Sequence, residues 1–431
     1  MNLCTQNFTP LADWITFLWQ ALPAKLRPTF LELLFGCIIS RTGHITDAIL
    51  AIRPGLFWNS YYKVIEKGSY SWLLQIRQWF MLILKIFPAR TITLVIDDFI
   101  TVRASKKAPS TELYHDHAQR ANRPQFLWGQ MRVALGIICT YGKRHAAVPL
   151  LLKLMRTKGN TSKLEAARRL MRIILRQTPP DRKIRVLMDA WYMKGPLLLE
   201  LIREKVTVIG QIRRDTALYL QPPPVTKRKR GRPRKYGERI RFERFKELCP
   251  LMEQKITAYG DVRRFQFYTL DLKVRFLKDT LCRVVWCRFL NKQTWTNWHL
   301  LLSSDRTLSA ASIIRLYGLR WQTESMFNEL KNLFGLLNAW QQTRQVLARW
   351  STMICLAYGL PRLLALVLRP ETVMQCLCIP WRKKAPITAG WVARAITHHF
   401  YRFPVRALWN RKEQKMQLPK SLLGFFLRDV A

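Results

Sequence analysis

Two carboxylates stand where buried strands are expected to stop. Asp97, with Asp98 beside it, follows the apolar run TITLVI, and Asp189 follows KIRVLM. Open α/β sheets place their ligand sites at the carboxyl ends of strands, and carboxylate oxygens are the hard ligands that Mg²⁺ takes while leaving positions open for substrate. A strand-ending Asp also serves as a turn former or helix N-cap, and Asp189, just ahead of a helical segment, suits that use as well. A third acid, Glu324, lies in a helical stretch with Tyr317, Arg320 and Lys331. At about 100° per residue these four fall within an arc of roughly 60° and share one face. Leu316, Leu319, Met326, Phe327, Leu330, Leu333 and Phe334 fill the neighbouring face, so the helix should bury one side on a sheet and carry the polar stripe along its edge. A solvated stripe with an Arg320–Glu324 ion pair one turn apart explains the charges too, but neither Tyr317 nor the register.

These residues need a frame to hold them. From Thr91 the sequence alternates β-branched runs (TITLVI, MRVALGIICT, HAAVPLLL, KIRVLMDA, VTVIGQIR) with helical segments near 162–177 and 196–203. That texture predicts an α/β layer with a mixed sheet, pausing at Asp215. Residues 221–236, QPPPVTKRKRGRPRKY, are Pro-rich and basic and read as an exposed loop. Strands predicted at 263–272, 280–290 and 298–303 form a β-rich insertion, followed by one long helix over about 308–337. Residues 10–90 are helix-like. Within them RTGHITDAILAI (41–52), with Thr46 as the expected N-cap, reads either as a helix-turn-helix or as a bundle packed on the next domain. The expected domains are a helical, DNA-binding 1–85, a catalytic core of 86–215 with 305–340, an insertion over 216–304, and a helical 341–431 making dimer or DNA contacts. No internal repeat is visible.

Lys and Arg number 72 against 27 Asp and Glu, a net charge of +45. A field of that size is best explained by a polyanionic partner whose phosphates take up the cations as counterions are released. The hydrophobic fraction of 49% excludes whole-chain disorder. Nine scattered Cys lack zinc-site spacing and are expected to be reduced and mostly buried. MNLCTQNFTPLADW has no secretory pattern, so a cytoplasmic, nucleoid-associated location is expected. The longest apolar stretch, 351–368, is interrupted by Pro361 and Arg362 and reads as core or subunit contact, not as a membrane span.

The spacing Y-x2-R-x3-E-x6-K at Tyr317, Arg320, Glu324 and Lys331 resembles the signature of bacterial insertion-sequence transposases of the DDE type. RLYGLRWQTESMFNELKNLFGL around it is similar to that family, and DAWY at Asp189 fits its second motif. The resemblance covers roughly residues 85–340. It implies a ribonuclease H-like mixed-sheet core, a β-rich insertion before the last acid, and flanking helical domains. Asp97, Asp189 and Glu324 are then the catalytic metal ligands, for Mg²⁺ with Mn²⁺ as substitute, while Tyr317, Arg320 and Lys331 hold DNA phosphates. Three carboxylates from separate elements also suit, on chemical grounds alone, the metal ions that phosphodiester hydrolysis needs. Phe99 departs from the family, which commonly has Thr or Ser there, and this leaves the first ligand open between Asp97 and Asp98.

Arg230 to Lys235, RGRPRK, resembles the core of an AT-hook, in which Arg230, Arg232, Arg234 and Lys235 enter a narrow A·T minor groove; a solvated loop touching phosphates is the other reading. Trp298 is the best match to a family aromatic that stacks on a flipped base, although Trp286, Trp295 and Trp298 also suit a β-core. His115 and His117 are a tempting metal pair, but imidazole is not what Mg²⁺ selects. The expected function is cut-and-paste DNA transposition: metal-dependent nicking of transposon ends, then strand transfer. The expected partners are double-stranded DNA, as terminal inverted repeats and target, and a second copy of the chain in a synaptic complex. A hairpin intermediate is implied by the resemblance. A structure-selective nuclease or a cleavage-inactive DNA-binding derivative would share the core.

Overall fold

The computed structural model describes residues 3–103, 105, 107–115, 124–155, 163–224, 234–278, 280–341, 343–377 and 386–418. Five helices come first: α1 (Leu3–Trp19), α2 (Arg27–Ser40), α3 (Ile45–Leu50), α4 (Trp58–Lys67) and α5 (Trp72–Ile86). The next segment carries β1 (Thr91–Val102), β2 (Thr111–His115), β3 (Phe126–Tyr141), β4 (Arg144–Leu154), α6 (Lys163–Leu175), β5 (Lys183–Met188), α7 (Gly195–Arg203) and β6 (Thr207–Ile212). β1 pairs antiparallel with β3, and β3 with β4, while β1, β5 and β6 run parallel. The resulting order β4-β3-β1-β5-β6, with helices on both faces, is the ribonuclease H-like arrangement. β5 alternates exposed and buried residues only at its start and is buried over its last three, as expected of a central parallel strand.

Between β6 and residue 304 lie β7 (Leu218–Tyr219), β8 (Arg239–Ile240), α8 (Phe242–Leu248), β9 (Met252–Ala258), β10 (Asp261–Val274), β11 (Leu281–Asn291), β12 (Thr294–Trp295) and β13 (His299–Ser303). The sheet does not pause at Asp215 as expected. β13 pairs antiparallel with β6, Leu301 opposite Gln211, and carries β11 and β10 behind it in one 13-stranded sheet. β13 is buried over four of its five residues, so it can close onto the open side of β6; local pattern cannot reveal such a distant pairing.

The expected single helix over 308–337 is also interrupted. α9 (Ala310–Gly318) tightens into a 3₁₀ turn, Leu319–Trp321, before α10 (Gln322–Asn332). Ser309 caps α9 by accepting the N–H of Ser312, and Gly335, with φ of +68°, turns the chain after α10. The last helices are α11 (Arg344–Val367), α12 (Pro370–Cys376) and α13 (Ala389–Phe400). α11 packs against β4, α2 and α13, so helices from both ends of the chain share one core. It is long and apolar enough to cross a membrane, but 83% of its apolar window is buried inside the fold, as in a core helix. The Thr42–Gly43 turn ahead of α3 docks against α11 and the turn after α10: Trp350 donates its indole N–H to the Gly43 carbonyl at 2.8 Å, and a Cβ on Gly43 would lie 1.9 Å from the Gly335 carbonyl. His44, not Thr46, occupies the N-cap of α3, and the Thr46 hydroxyl pairs with that of Tyr62 at 2.8 Å.

Candidate active site

The parallel register of β1 and β5 ends with Ile96 opposite Met188. Asp189 follows the last residue of β5, as expected, whereas Asp97 does not end its strand: β1 runs on to Val102, still paired with β3, because the neighbouring β5 stops first and only the β3 side continues the ladder. Adjacent strands lie about 4.8 Å apart. Side chains alternate along β1. Phe99 meets Phe327 of α10 with ring centroids 4.8 Å apart, so the odd-numbered residues, Asp97 among them, face α10. Asp98 faces the other side, where Lys163 at the start of α6 sits 2.8 Å from Oδ2 and the Tyr192 hydroxyl donates to Oδ1 at 2.8 Å. Of the two neighbours, Asp97 therefore shares a face with Glu324. Asp189 also keeps a turn-forming role, its Oδ1 accepting the N–H groups of Trp191 and Tyr192.

Arg320 joins these groups. Its Nη1 donates to Asp97 Oδ2 at 3.0 Å and its Nη2 to Glu324 Oε1 at 3.4 Å, with the Tyr317 ring 5.9 Å from the guanidinium. The sequence reading put Arg320 on an exposed edge, but only 16% of its side chain is accessible, because the 3₁₀ turn swings it over the middle of β1, onto Asp97. Tyr317 is buried and donates to Gln211 Oε1 of β6 at 3.3 Å. Lys331 lies 4.8 Å from the Phe99 ring and 5.4 Å from that of Phe327, so the Phe at position 99 forms an aromatic seat for the ammonium. A cavity of about 790 Å³ opens alongside, with Asp98, Lys163, Glu324 and Lys331 among its charged walls and Tyr114, Leu127 and Trp340 among its apolar ones.

Burial raises all three acids. Asp97 is pushed up to about 6 by burial, with Arg320 pulling the other way and Asp189 adding to the rise. Asp189 and Glu324 are also raised, chiefly by burial and against Arg320. Burial would lower the Arg320 guanidinium, but Tyr317, Asp97, Asp189 and Glu324 together outweigh it and hold it charged. Carboxylate oxygens are donors of the kind that hard divalent cations select. Among the described residues no three His, Cys, Asp or Glu side chains are already gathered to coordinate an ion; Asp97 and Glu324 are linked through Arg320 instead.

The remaining sequence-derived residues are dispersed. Trp298 precedes β13 at the end lying beside Ile212, hence at the same carboxyl edge as the acids. Its ring is already contacted by Arg288 at 4.7 Å, Phe242 at 5.1 Å and Tyr268 at 5.5 Å. Trp286 is buried in the same cluster, and Trp295 lies 5.1 Å from Arg288. Arg234 and Lys235 are exposed, while Arg230 and Arg232 lie outside the described residues. His115 approaches Gln125 at 3.0 Å, and His117 lies outside the described residues. Sequence reasoning missed Lys163, Gln211 and the bond from Tyr192 to Asp98. Gln211 had a signal, a polar residue in the apolar run TVIGQI; Tyr192 had one in DAWY; Lys163 had none.

No curated protein matches the chain. A solved piggyBac transposase synaptic complex with hairpin DNA shares 13% identity with it, covering 99% of this chain and 84% of that one at a TM-score of 0.38, and no weight rests on so distant a likeness. Residues 138–360 match the family described as Transposase DDE domain, a span that contains Asp189, Tyr317, Arg320, Glu324 and Lys331 and is just over half of the chain; the chain belongs to that family.

Proposed function

We propose that this DDE transposase is a cut-and-paste enzyme that nicks the ends of a DNA element and transfers the freed 3′ hydroxyl to target DNA. Asp97, Asp189 and Glu324 would hold Mg²⁺, or Mn²⁺ in its place; when bound, such ions polarise the scissile phosphate and lower the pKa of a bound water. The chain's own residues supply the rest. Arg320, half-buried and charged, offers a planar fork suited to a phosphate. Lys331, braced on Phe99 and Phe327, and Lys163 across the cavity present further cations to the strand backbone. Tyr317, tied to Gln211, braces the turn that aims Arg320. Asp98, occupied by Tyr192 and Lys163 at the wall of the same cavity, is a positioning group.

Residues 1–85 and the basic loop with Arg230, Arg232, Arg234 and Lys235 are proposed to bind the terminal repeats, and Trp298 to stack on a displaced base after giving up the packing of Arg288. Residues 341–431 are proposed to contribute to a homodimeric synaptic complex. The reading is carried by one observation: a single guanidinium contacts acids from a sheet strand and a distant helix, Asp97 and Glu324, with Asp97 and Asp189 each following the last residues paired between β1 and β5, Ile96 and Met188. The test is nicking of a plasmid carrying the DNA that flanks this reading frame, with a mobility shift on the same DNA. Asp97→Asn, Asp189→Asn and Glu324→Gln should each bind normally and fail to nick. Normal nicking by any one of them removes that residue from the site.

A further inference from the structure

The β9–β10 hairpin closes through a two-residue turn, Tyr259–Gly260, between paired Ala258 and Asp261, and both turn residues have positive φ, +57° and +82°. Such turns favour Asn or Asp followed by Gly. A bulky aromatic at the first position is an outlier that persists only where its surroundings impose it. The surroundings here are the 3₁₀ turn that carries Arg320. The Tyr259 ring meets Trp321 edge-on at 6.3 Å and lies 5.7 Å from Phe289. A Cβ on Gly318 would come within 3.1 Å of both the Ala258 Cβ and the Tyr259 nitrogen, so Gly318 admits the hairpin tip at close range. Gly318 and Trp321 bracket Arg320, and the tip touches both. Burial pushes the Tyr259 phenol up, with Cys287 and Tyr317 adding to the rise and Arg320 and Arg263 opposing it, which puts two site residues within its electrostatic reach.

We infer that Tyr259 is a positioning residue: the strained tip of the insertion hairpin sets the 3₁₀ turn so that Arg320 points at Asp97. A turn that only closed the hairpin would be better served by Asn. The inference rests on the transposase reading for its rate effect but not for its structural effect. Tyr259→Asn should melt at or above the wild-type temperature and bind the flanking-DNA plasmid unchanged. It should nick at least ~10-fold more slowly, since a misplacement of about 1 Å can slow reaction ~100-fold, and its amides at 318–322 should exchange hydrogen faster. Tyr259→Phe keeps the ring and should behave as wild type in all four measurements. Gly318→Ala, pressing on the tip from the other side, should repeat the rate and exchange changes. A folded Tyr259→Asn protein that nicks and exchanges like wild type overturns the inference, as does a loss of nicking that merely tracks the unfolded fraction. If wild type itself does not nick, the transposase reading fails while the exchange comparison still decides: unchanged protection at 318–322 overturns the positioning role, and faster exchange upholds it.

Discussion

Replacing Asp97 by Asn should stabilise the protein while destroying its activity, and the size of the gain follows from the site. Burial lifts the Asp97 carboxyl from its ordinary value of 3.8 to about 6 despite the Arg320 bond. Each tenfold change in proton affinity is worth about 1.4 kcal/mol, so ionising Asp97 in the fold costs ~3 kcal/mol more than in the unfolded chain. Because the folded value is the raised one, that stability is present below about pH 4 and is lost as pH climbs through about 6. The Asn amide oxygen can still accept from Arg320 but carries no charge to bury. Asp97→Asn should therefore match wild type near pH 4 and exceed it by up to ~3 kcal/mol at pH 8. With an unfolding entropy of about 2.1 cal/mol/K per residue, that is a rise in Tm of ~3 °C for a chain of this length. Paired thermal scans at the two pH values, with plasmid nicking at pH 8, measure both arms. A Tm at pH 8 equal to or below that of wild type, or the same gain at both pH values, would refute the reasoning that Asp97 is held ionised against burial.

Asp98→Asn should retain nicking where Asp97→Asn does not, because its partners are Lys163 and Tyr192; the reverse result would exchange their roles. Arg320→Ala should slow single-turnover nicking by ~100-fold, Arg320→Lys should rescue poorly, and the Ala variant should melt lower at pH 8 than at pH 4 relative to wild type, since Asp97 keeps the Asp98 N–H but loses its ion pair. Loss of an exposed ion pair would shift stability by only a few tenths of a kcal/mol and spare cleavage. Binding to duplex DNA should weaken steeply with salt. Deleting residues 227–235 should flatten the plot of log affinity against log salt, with a greater loss on A·T-rich duplex if the loop enters the minor groove.

The run before each acid was legible because buried strands announce themselves as β-branched runs, but only Asp189 ends its strand; β1 continues past Asp97 to Val102 because its pairing with β3 outlasts the apolar run. The helix face was legible because four residue types recur at helical spacing. The spacing could not say what that face meets. Arg320 looked exposed because helical periodicity reports shared faces but not the strand lying against them. One 3₁₀ turn inside a 3.6-residue repeat leaves the apolar pattern nearly intact, so the break at Leu319–Trp321 was invisible. The choice between Asp97 and Asp98 was closed to the sequence for a related reason: adjacent strand residues face opposite sides, and only packing against α10 tells which side is which. Pairing of β6 with β13, some 90 positions apart in the chain, and the seating of Tyr259 on Gly318 are tertiary facts with no local signature.

The most direct measurement is excision and joining in vitro: wild-type protein, a plasmid carrying the DNA that flanks the reading frame, and Mg²⁺ or Mn²⁺, with the product ends sequenced. The account predicts metal-dependent release of a segment with defined ends, its 3′ hydroxyls joined to new DNA, and none of this with Glu324→Gln. Breaks scattered without regard to the flanking ends, or equal products from Glu324→Gln, would contradict it.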